Sequence, residues 1–256
     1  MSTPNDNQIV GSGHGILVVV AAPVEANAVR VAFGTPERSD GGPDEPWKRE
    51  TLAPGFDLIV TGVGKAQAAG GTAWAYDPAR HRGVVSIGIG GALPAREPAR
   101  IGDTVLATRS VFADEGVCAP DRFIPIEAIG FGAGRSTGGF GPDGMACAPA
   151  WADALASVCT HRGVIATVSS CSGTDNAARR VAMQTGAIAE NMEGAAVAAA
   201  LSRLESPPLF AEIRVISNTT GDREHQNWDL ERALAVLRET AERVARALET
   251  GDGNRA

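Results

Sequence analysis

The sequence predicts an α/β fold, a single domain whose sheet is covered by helices on both faces. Short apolar runs rich in β-branched residues alternate with alanine-rich stretches along nearly the whole chain. The runs are continuous rather than alternately polar and apolar, the pattern of strands buried on both sides. With 256 residues, 44% hydrophobic and 21% charged, the chain has the size and composition of one large globular domain.

Residues 16–22 form the first strand candidate and lead into a helix over 25–33. The segment 34–46, rich in Gly, Pro and Asp, is a surface loop. A strand at 56–61 passes through Gly62-Val63-Gly64 into a helix at 65–74, and strands follow at 84–89 and 104–108. Residues 130–144 hold seven glycines, too long a stretch for a simple connection and suited to a mobile loop near a site. The remaining helices are expected at 149–159, 175–184, 193–204 and 229–248, and the remaining strands at 164–168, 187–189 and 209–216. The last helix is amphipathic, with Leu230, Leu234, Leu237, Val244 and Leu248 at helical spacing. The rhythm gives one domain over 15–249, with frayed tails at 1–14 and 250–256.

Composition removes several function classes. A net charge of −7 lacks the concentrated positive surface that nucleic acid requires. The apolar run at 16–22 is far too short to span a bilayer, and no basic segment precedes it, so a cytoplasmic protein with no membrane partner is expected. Cys118, Cys147, Cys159 and Cys171 contain no C-x-x-C pair, and the histidines show no ligand spacing; neither a metal nor a cofactor is expected. The serines lack a G-x-S-x-G elbow.

The remaining motifs sit where strands meet helices. The Gly62–Lys65 turn has backbone N–H groups able to hold an anion, or it is merely a tight turn; it fits neither a P-loop nor a dinucleotide fingerprint. Gly88-Ile89-Gly90-Gly91 would allow a ligand or another backbone to come close. Glu25 opens the first helix, which is both a common first-turn carboxylate and the strand end where ligands gather in open α/β sheets. Glu190-Asn191-Met192-Glu193 concentrates two carboxylates and an amide before an apolar helix, although Asn191 could simply cap that helix. Arg214, inside an apolar strand, needs a partner, for which Glu190 or Glu193 is the expectation.

Taken in order, these segments resemble the nucleoside phosphorylase and nucleosidase superfamily. Ala21-Ala-Pro-Val-Glu25 resembles its first strand with the catalytic glutamate. Thr61-Gly-Val-Gly64 and Gly88-Ile-Gly-Gly-Ala-Leu93 resemble its glycine turns, and Ile101-Gly-Asp103 a strand entry. Ala187-Ile-Ala-Glu-Asn-Met-Glu193 resembles its sugar-binding segment, and Arg214-Val-Ile-Ser-Asn218 its base-binding strand end. The resemblance spans about residues 16–248 and implies a central mixed sheet and a homo-oligomer. Within the superfamily, Met192–Ala196 and I-S-N-x-x-G-x-R at Ile216–Arg223, followed by Trp228, are most similar to the family of futalosine hydrolases, which release hypoxanthine in an alternative menaquinone pathway.

The resemblance implies a small nucleoside substrate and a set of roles. Glu25 would activate water, Glu193 would hold the ribose hydroxyls with Met192 packed on the sugar, and Asn218 would hold the base. Arg214 would orient the acidic cluster; Asn191, Ile89 and Gly90 would line the site; Trp228 and Arg223 would meet the 5′ substituent. Phosphorylases of the superfamily place arginine and serine where Ser86 and Ile89 stand here, so an oxyanion would find no charge and water is the nucleophile. Methylthioadenosine-type nucleosidases carry aspartate at the position of Asn218; a carboxamide instead suits a 6-oxopurine. The rival readings are such a nucleosidase, a purine nucleoside phosphorylase and a non-catalytic nucleoside-binding module.

Overall fold

The computed structural model describes residues 13–36, 45, 47–131 and 145–250. In chain order the elements are β1 (Gly15–Val20), α1 (Pro23–Ala32), β2 (Glu50–Ala53), β3 (Phe56–Val60), α2 (Lys65–Ala75) and β4 (His81–Ala92). There follow β5 (Thr104–Phe112), β6 (Gly116–Cys118), β7 (Phe123–Pro125), β8 (Met145–Ala146), α3 (Pro149–Ala156), β9 (His161–Thr167) and α4 (Asp175–Thr185). The chain closes with β10 (Ala187–Asn191), α5 (Gly194–Ser202), β11 (Leu209–Thr219) and α6 (Leu230–Thr250). Every strand and helix expected from the sequence is present. Most of the expected loops 34–46 and 130–144, and nearly all of both tails, lie outside the described residues.

The large sheet is mixed, in the order β10-β9-β5-β11-β4-β1-β3-β2, with β8 on β5. β4 is parallel to both β1 and β11, whereas β11 runs antiparallel to β5. At its far end β4 also pairs antiparallel with β10, Gly91 opposite Glu190 and Ala92 opposite Ala189. That third pairing closes β4, β11, β5, β9 and β10 into a ring of strands, from which β1, β3 and β2 extend as an open wing. The glycine run read as a turn after residue 89 is therefore strand, because two partners supply its hydrogen bonds.

Both faces of β1 and β3 are buried, which is why β1 is continuously apolar and β3 nearly so. Ile16, Val18 and Val20 pack with Val85, Ile87 and the buried stripe Ala233, Leu237, Val244 and Leu248 of α6. Leu17 and Val19 point the other way, toward Ala68 and Ala75 of α2 and Ala196, Val197 and Leu201 of α5. Helix boundaries follow local chemistry. Pro23 opens α1; Thr174 Oγ1 caps α4 by accepting from Ala177 N–H at 3.1 Å, and Gly186 ends it in the left-handed region. The carboxyl ends of β1, β3, β4, β10 and β11 thus converge on one rim of the domain.

Candidate active site

Glu25 stands in the first turn of α1 and is buried. Its Oε2 accepts the N–H groups of Ala21 at 3.0 Å and Ala22 at 2.9 Å. The bond to Ala22 serves the helix start, as a first-turn glutamate commonly does. Oε1 has a different duty: it reaches across to β4 and accepts Ile89 N–H at 2.8 Å. A Cβ at Gly88 would lie 2.5 Å from Glu25 Oε1 and 2.6 Å from Arg214 Nη1, so glycine is what lets carboxylate and guanidinium gather over this strand. Burial pushes the Glu25 carboxyl above its usual range; Arg214 and the N–H groups of Ile89 and Ala22 pull against that, and Glu193 adds to the rise.

Arg214 is held by a different carboxylate from those expected. Its Nε donates to Oε1 of the fully buried Glu212 at 3.1 Å, because residues two apart on β11 share a face. Glu190 is instead satisfied by Ser172, whose N–H and Oγ donate at 2.7 and 2.6 Å. The expectation that no charge stands near Ser86 is also corrected: Arg214 Nη2 donates to Ser86 Oγ at 2.9 Å. That charge is already shared, since Glu212, Glu193 and Glu25 all act on the one guanidinium.

Glu193 occupies the residue before α5 and is buried. Its carboxylate accepts Gly64 N–H at 3.0 Å and Met192 N–H at 3.2 Å. The glycine turn after β3 does hold an anion, then, and the anion is the chain's own side chain. Lys65 turns away, bonded to Asp114 and Glu115 and lying over the Phe112 ring. Asn191 fits the capping alternative. Its Oδ1 accepts Glu193 N–H at 2.7 Å and Gly194 N–H at 2.8 Å, and its Nδ2 donates to Glu212 at 2.7 Å.

Asn218 ends β11 opposite Gly91 of β4. Nδ2 donates to Thr219 O at 2.9 Å and Oδ1 accepts from Ser217 Oγ at 2.9 Å. The carbonyl of Thr219 fixes which way the amide faces, since an amide oxygen there would meet another acceptor. One N–H and one lone pair of the carboxamide remain for a ligand. Ile89 and Gly91 are two residues apart, about 7 Å along a strand, so Glu25 and Asn218 are brought to the same stretch of β4, with Gly90 between them. Trp228 bridges back to Asn218, and its half-exposed indole carries the Arg223 guanidinium 5.0 Å above the ring. Gln226 Oε1 accepts from both Arg223 Nη1 and Trp228 Nε1 at 3.0 Å.

Glu212, Ser110 and Ser172 were not singled out from the sequence. The signal for Glu212 was there: Ala211-Glu212-Ile213-Arg214 sets two opposite charges on one face of a buried strand. Among the described residues no group of three or more His, Cys, Asp or Glu side chains is placed to hold a metal ion, and no helix is long and apolar enough to cross a membrane.

Comparison with known proteins gives the family of the chain. The family model of the phosphorylase superfamily matches residues 57–250. The futalosine hydrolase of Streptomyces coelicolor is 35% identical over 92% of this chain and 97% of its own. That of Acidothermus cellulolyticus is 31% identical over 86% of each chain. Among solved structures, a methylthioadenosine/S-adenosylhomocysteine nucleosidase from Colwellia psychrerythraea, in complex with adenine, superposes with a TM-score of 0.69 at 18% identity, covering 95% of this chain and 97% of that one. The Neisseria meningitidis enzyme of the same name gives 0.67 at 17%, covering 92% and 98%. These two share the fold. By its matched family and by its relatives, the chain belongs to the phosphorylase superfamily, in the family of the futalosine hydrolases.

Proposed function

We propose that the protein hydrolyses the N-glycosidic bond of futalosine, releasing hypoxanthine and leaving dehypoxanthine futalosine, in an alternative route to menaquinone. One observation carries this reading. A buried carboxylate held by three backbone N–H groups and a carboxamide with one free donor and one free acceptor share a single glycine-rich strand. In this reading the carboxylate serves the sugar side of a nucleoside's glycosidic bond and the carboxamide serves the base.

Glu25 orients a water molecule and takes its proton, a role its burial favours by strengthening it as a base. Glu193 accepts the ribose hydroxyls and, with its charge, stabilises the oxocarbenium-like sugar as the bond to the base stretches. Met192 packs against the sugar, while Ile89 and Gly90 line its path. Asn218 donates to the exocyclic oxygen of hypoxanthine and accepts from its protonated ring nitrogen, an orientation that Thr219 O and Ser217 Oγ have already selected. Trp228 stacks on the aryl ring of the 5′ substituent, and Arg223 pairs with its carboxylate.

Water rather than phosphate is the nucleophile because the guanidinium near Ser86 is balanced by three carboxylates. A phosphate there would face Glu25 and Glu193 with no charge to spare. The reading includes a single nucleosidase domain over 15–249 and a homo-oligomer working in the cytoplasm, both on the resemblance stated above. Incubation with futalosine, inosine and methylthioadenosine in phosphate-free buffer tests the activity. Hypoxanthine released from futalosine without phosphate is the expected result. Adenine released from methylthioadenosine in preference, strict dependence on phosphate, or binding without cleavage would each refute it.

A further inference from the structure

The closed ring of strands encloses polar side chains, one or more from each strand, all of them buried. They are Ser86 of β4, Ser110 of β5, Thr167 of β9, Asn191 of β10 and the pair Glu212 and Arg214 of β11. They form one chain of hydrogen bonds. Ser86 accepts from Arg214, Arg214 donates to Glu212, Ser110 and Asn191 donate to Glu212, and Thr167 donates to Asn191 at 3.3 Å. A Cβ at position 194 would overlap the Glu212 carboxylate, so this group also packs directly beneath the first residue of α5.

We propose that Glu212 is the positioning residue of the active site, fixing Arg214 and, through Asn191, Glu193. Three donors converge on its two oxygens, the way an ionised carboxylate is satisfied inside a protein. Glu212 is the sole carboxylate hydrogen-bonded to Arg214 among the described residues; Glu25 and Glu193 act on the guanidinium only through space. With Glu212 in place, Glu25 keeps its basicity although a guanidinium lies beside it. Asn191, bonded to Glu212 by its amide nitrogen, uses its oxygen to hold the Glu193 and Gly194 N–H groups. Glu212 therefore acts on both functional carboxylates without touching substrate.

The proposal rests on the function argued above, and its test separates the two. The charged groups facing Glu25 are Arg214 from β11 and Glu193 from the start of α5; those facing Arg214 are Glu212, Glu193 and Glu25. In Glu212→Gln the guanidinium loses its partner and turns to Glu25, and an opposite charge at such range lowers a carboxylate pKa by about 1–3 units. We expect the acid limb of kcat to move down by about one unit or more, with the plateau at least about tenfold lower, as for a weaker base. The Glu25 carboxyl signal in glutamate-labelled protein, assigned with Glu25→Gln and followed by carbon-13 resonance, moves the same way without any turnover. A limb and a carboxyl titration that both stay at the wild-type pH, with only thermal stability reduced, would overturn the proposal. Should Glu212→Gln not fold, Glu212→Asp keeps the charge and withdraws it by one methylene. Its expected signature is a wild-type limb with kcat reduced about tenfold, and wild-type kcat would overturn the proposal. Failure of the wild-type chain to release hypoxanthine overturns the function instead, while the carboxyl titration still decides the role of Glu212.

Discussion

Replacing Glu25 by glutamine keeps the shape of the side chain and removes its charge. With the amide oxygen in the place of Oε2, the bonds from Ala21 and Ala22 survive, but the amide nitrogen faces the Ile89 N–H donor to donor. One buried N–H loses a charged acceptor, which costs about 1–3 kcal/mol. Relief of the carboxylate's desolvation offsets part of this. For a chain of this size the melting temperature then falls by about 2–8 °C, so the variant folds and its kinetics can be measured. An amide cannot take the proton of water, and loss of a general base costs about 10²–10⁴-fold in kcat, or roughly 3–5 kcal/mol of barrier. The contacts proposed for ribose and base lie on Glu193 and Asn218, so the dissociation constant should stay within about threefold. Steady-state release of hypoxanthine, read by chromatography, gives kcat, and calorimetry with substrate gives binding. The acid limb of the wild-type pH profile should vanish with the carboxyl that causes it. Turnover within a factor of about ten of wild type would remove Glu25 from the mechanism.

Four further outcomes are expected. Asn218→Asp places an acid where the amide stands and should move the adenine-to-hypoxanthine preference by about tenfold or more; an unchanged ratio in paired assays refutes the account of base choice. Gly88→Ala drives a methyl group between Glu25 and Arg214 and should lower kcat by about 10–100-fold at a stability cost of about 1–3 kcal/mol, and wild-type kcat would show the two groups need not meet. Arg223→Ala should raise KM for futalosine by about tenfold or more while leaving inosine unaffected; equal effects on both would place Arg223 outside the 5′ subsite. Burial pushes the Asp57 carboxyl up, but bonds from Thr51, His81 and Arg80 overcome it and hold the group below its ordinary value of 3.8. Its stabilising effect is thus full above that value and lost as pH falls through the lowered one. Asp57→Asn should cost about 1–3 kcal/mol at neutral pH, the gap to wild type narrowing in denaturant titrations only below about pH 4; a gap that persists there contradicts the sign.

Much of the molecule was legible because two-sided burial writes itself as uninterrupted apolar runs. Glu25, Glu193 and Asn218 stand at the ends of such runs, and the roles proposed for them come from the resemblance of those segments to the superfamily. What escaped depended on pairing between distant segments. The strand read at 84–89 stops short of residues 90–92 because glycine dominates there, yet β10 and β11 supply the hydrogen bonds that keep them extended. β2, β6, β7 and β8 are only two to four residues long, too short for any periodicity of their own to demand a strand. Arg214 announced that it needed a partner, but the sequence order drew attention to the acidic cluster at 190–193 rather than to the carboxylate two residues away. Periodicity on β11 would have settled it.

The two carboxylates proposed to function, Glu25 and Glu193, accept their hydrogen bonds from main-chain amides, those of Ala21, Ala22 and Ile89 for one and of Gly64 and Met192 for the other. Their direct anchors are consequently written in the path of the polypeptide, which the buried side chains around them hold in place. Homologues can drift widely at positions 21, 22, 89 and 192 without unseating either acid, so long as the path is kept. Proline is the exception at all four: it deletes the amide hydrogen, and with it the peg from which the acid hangs.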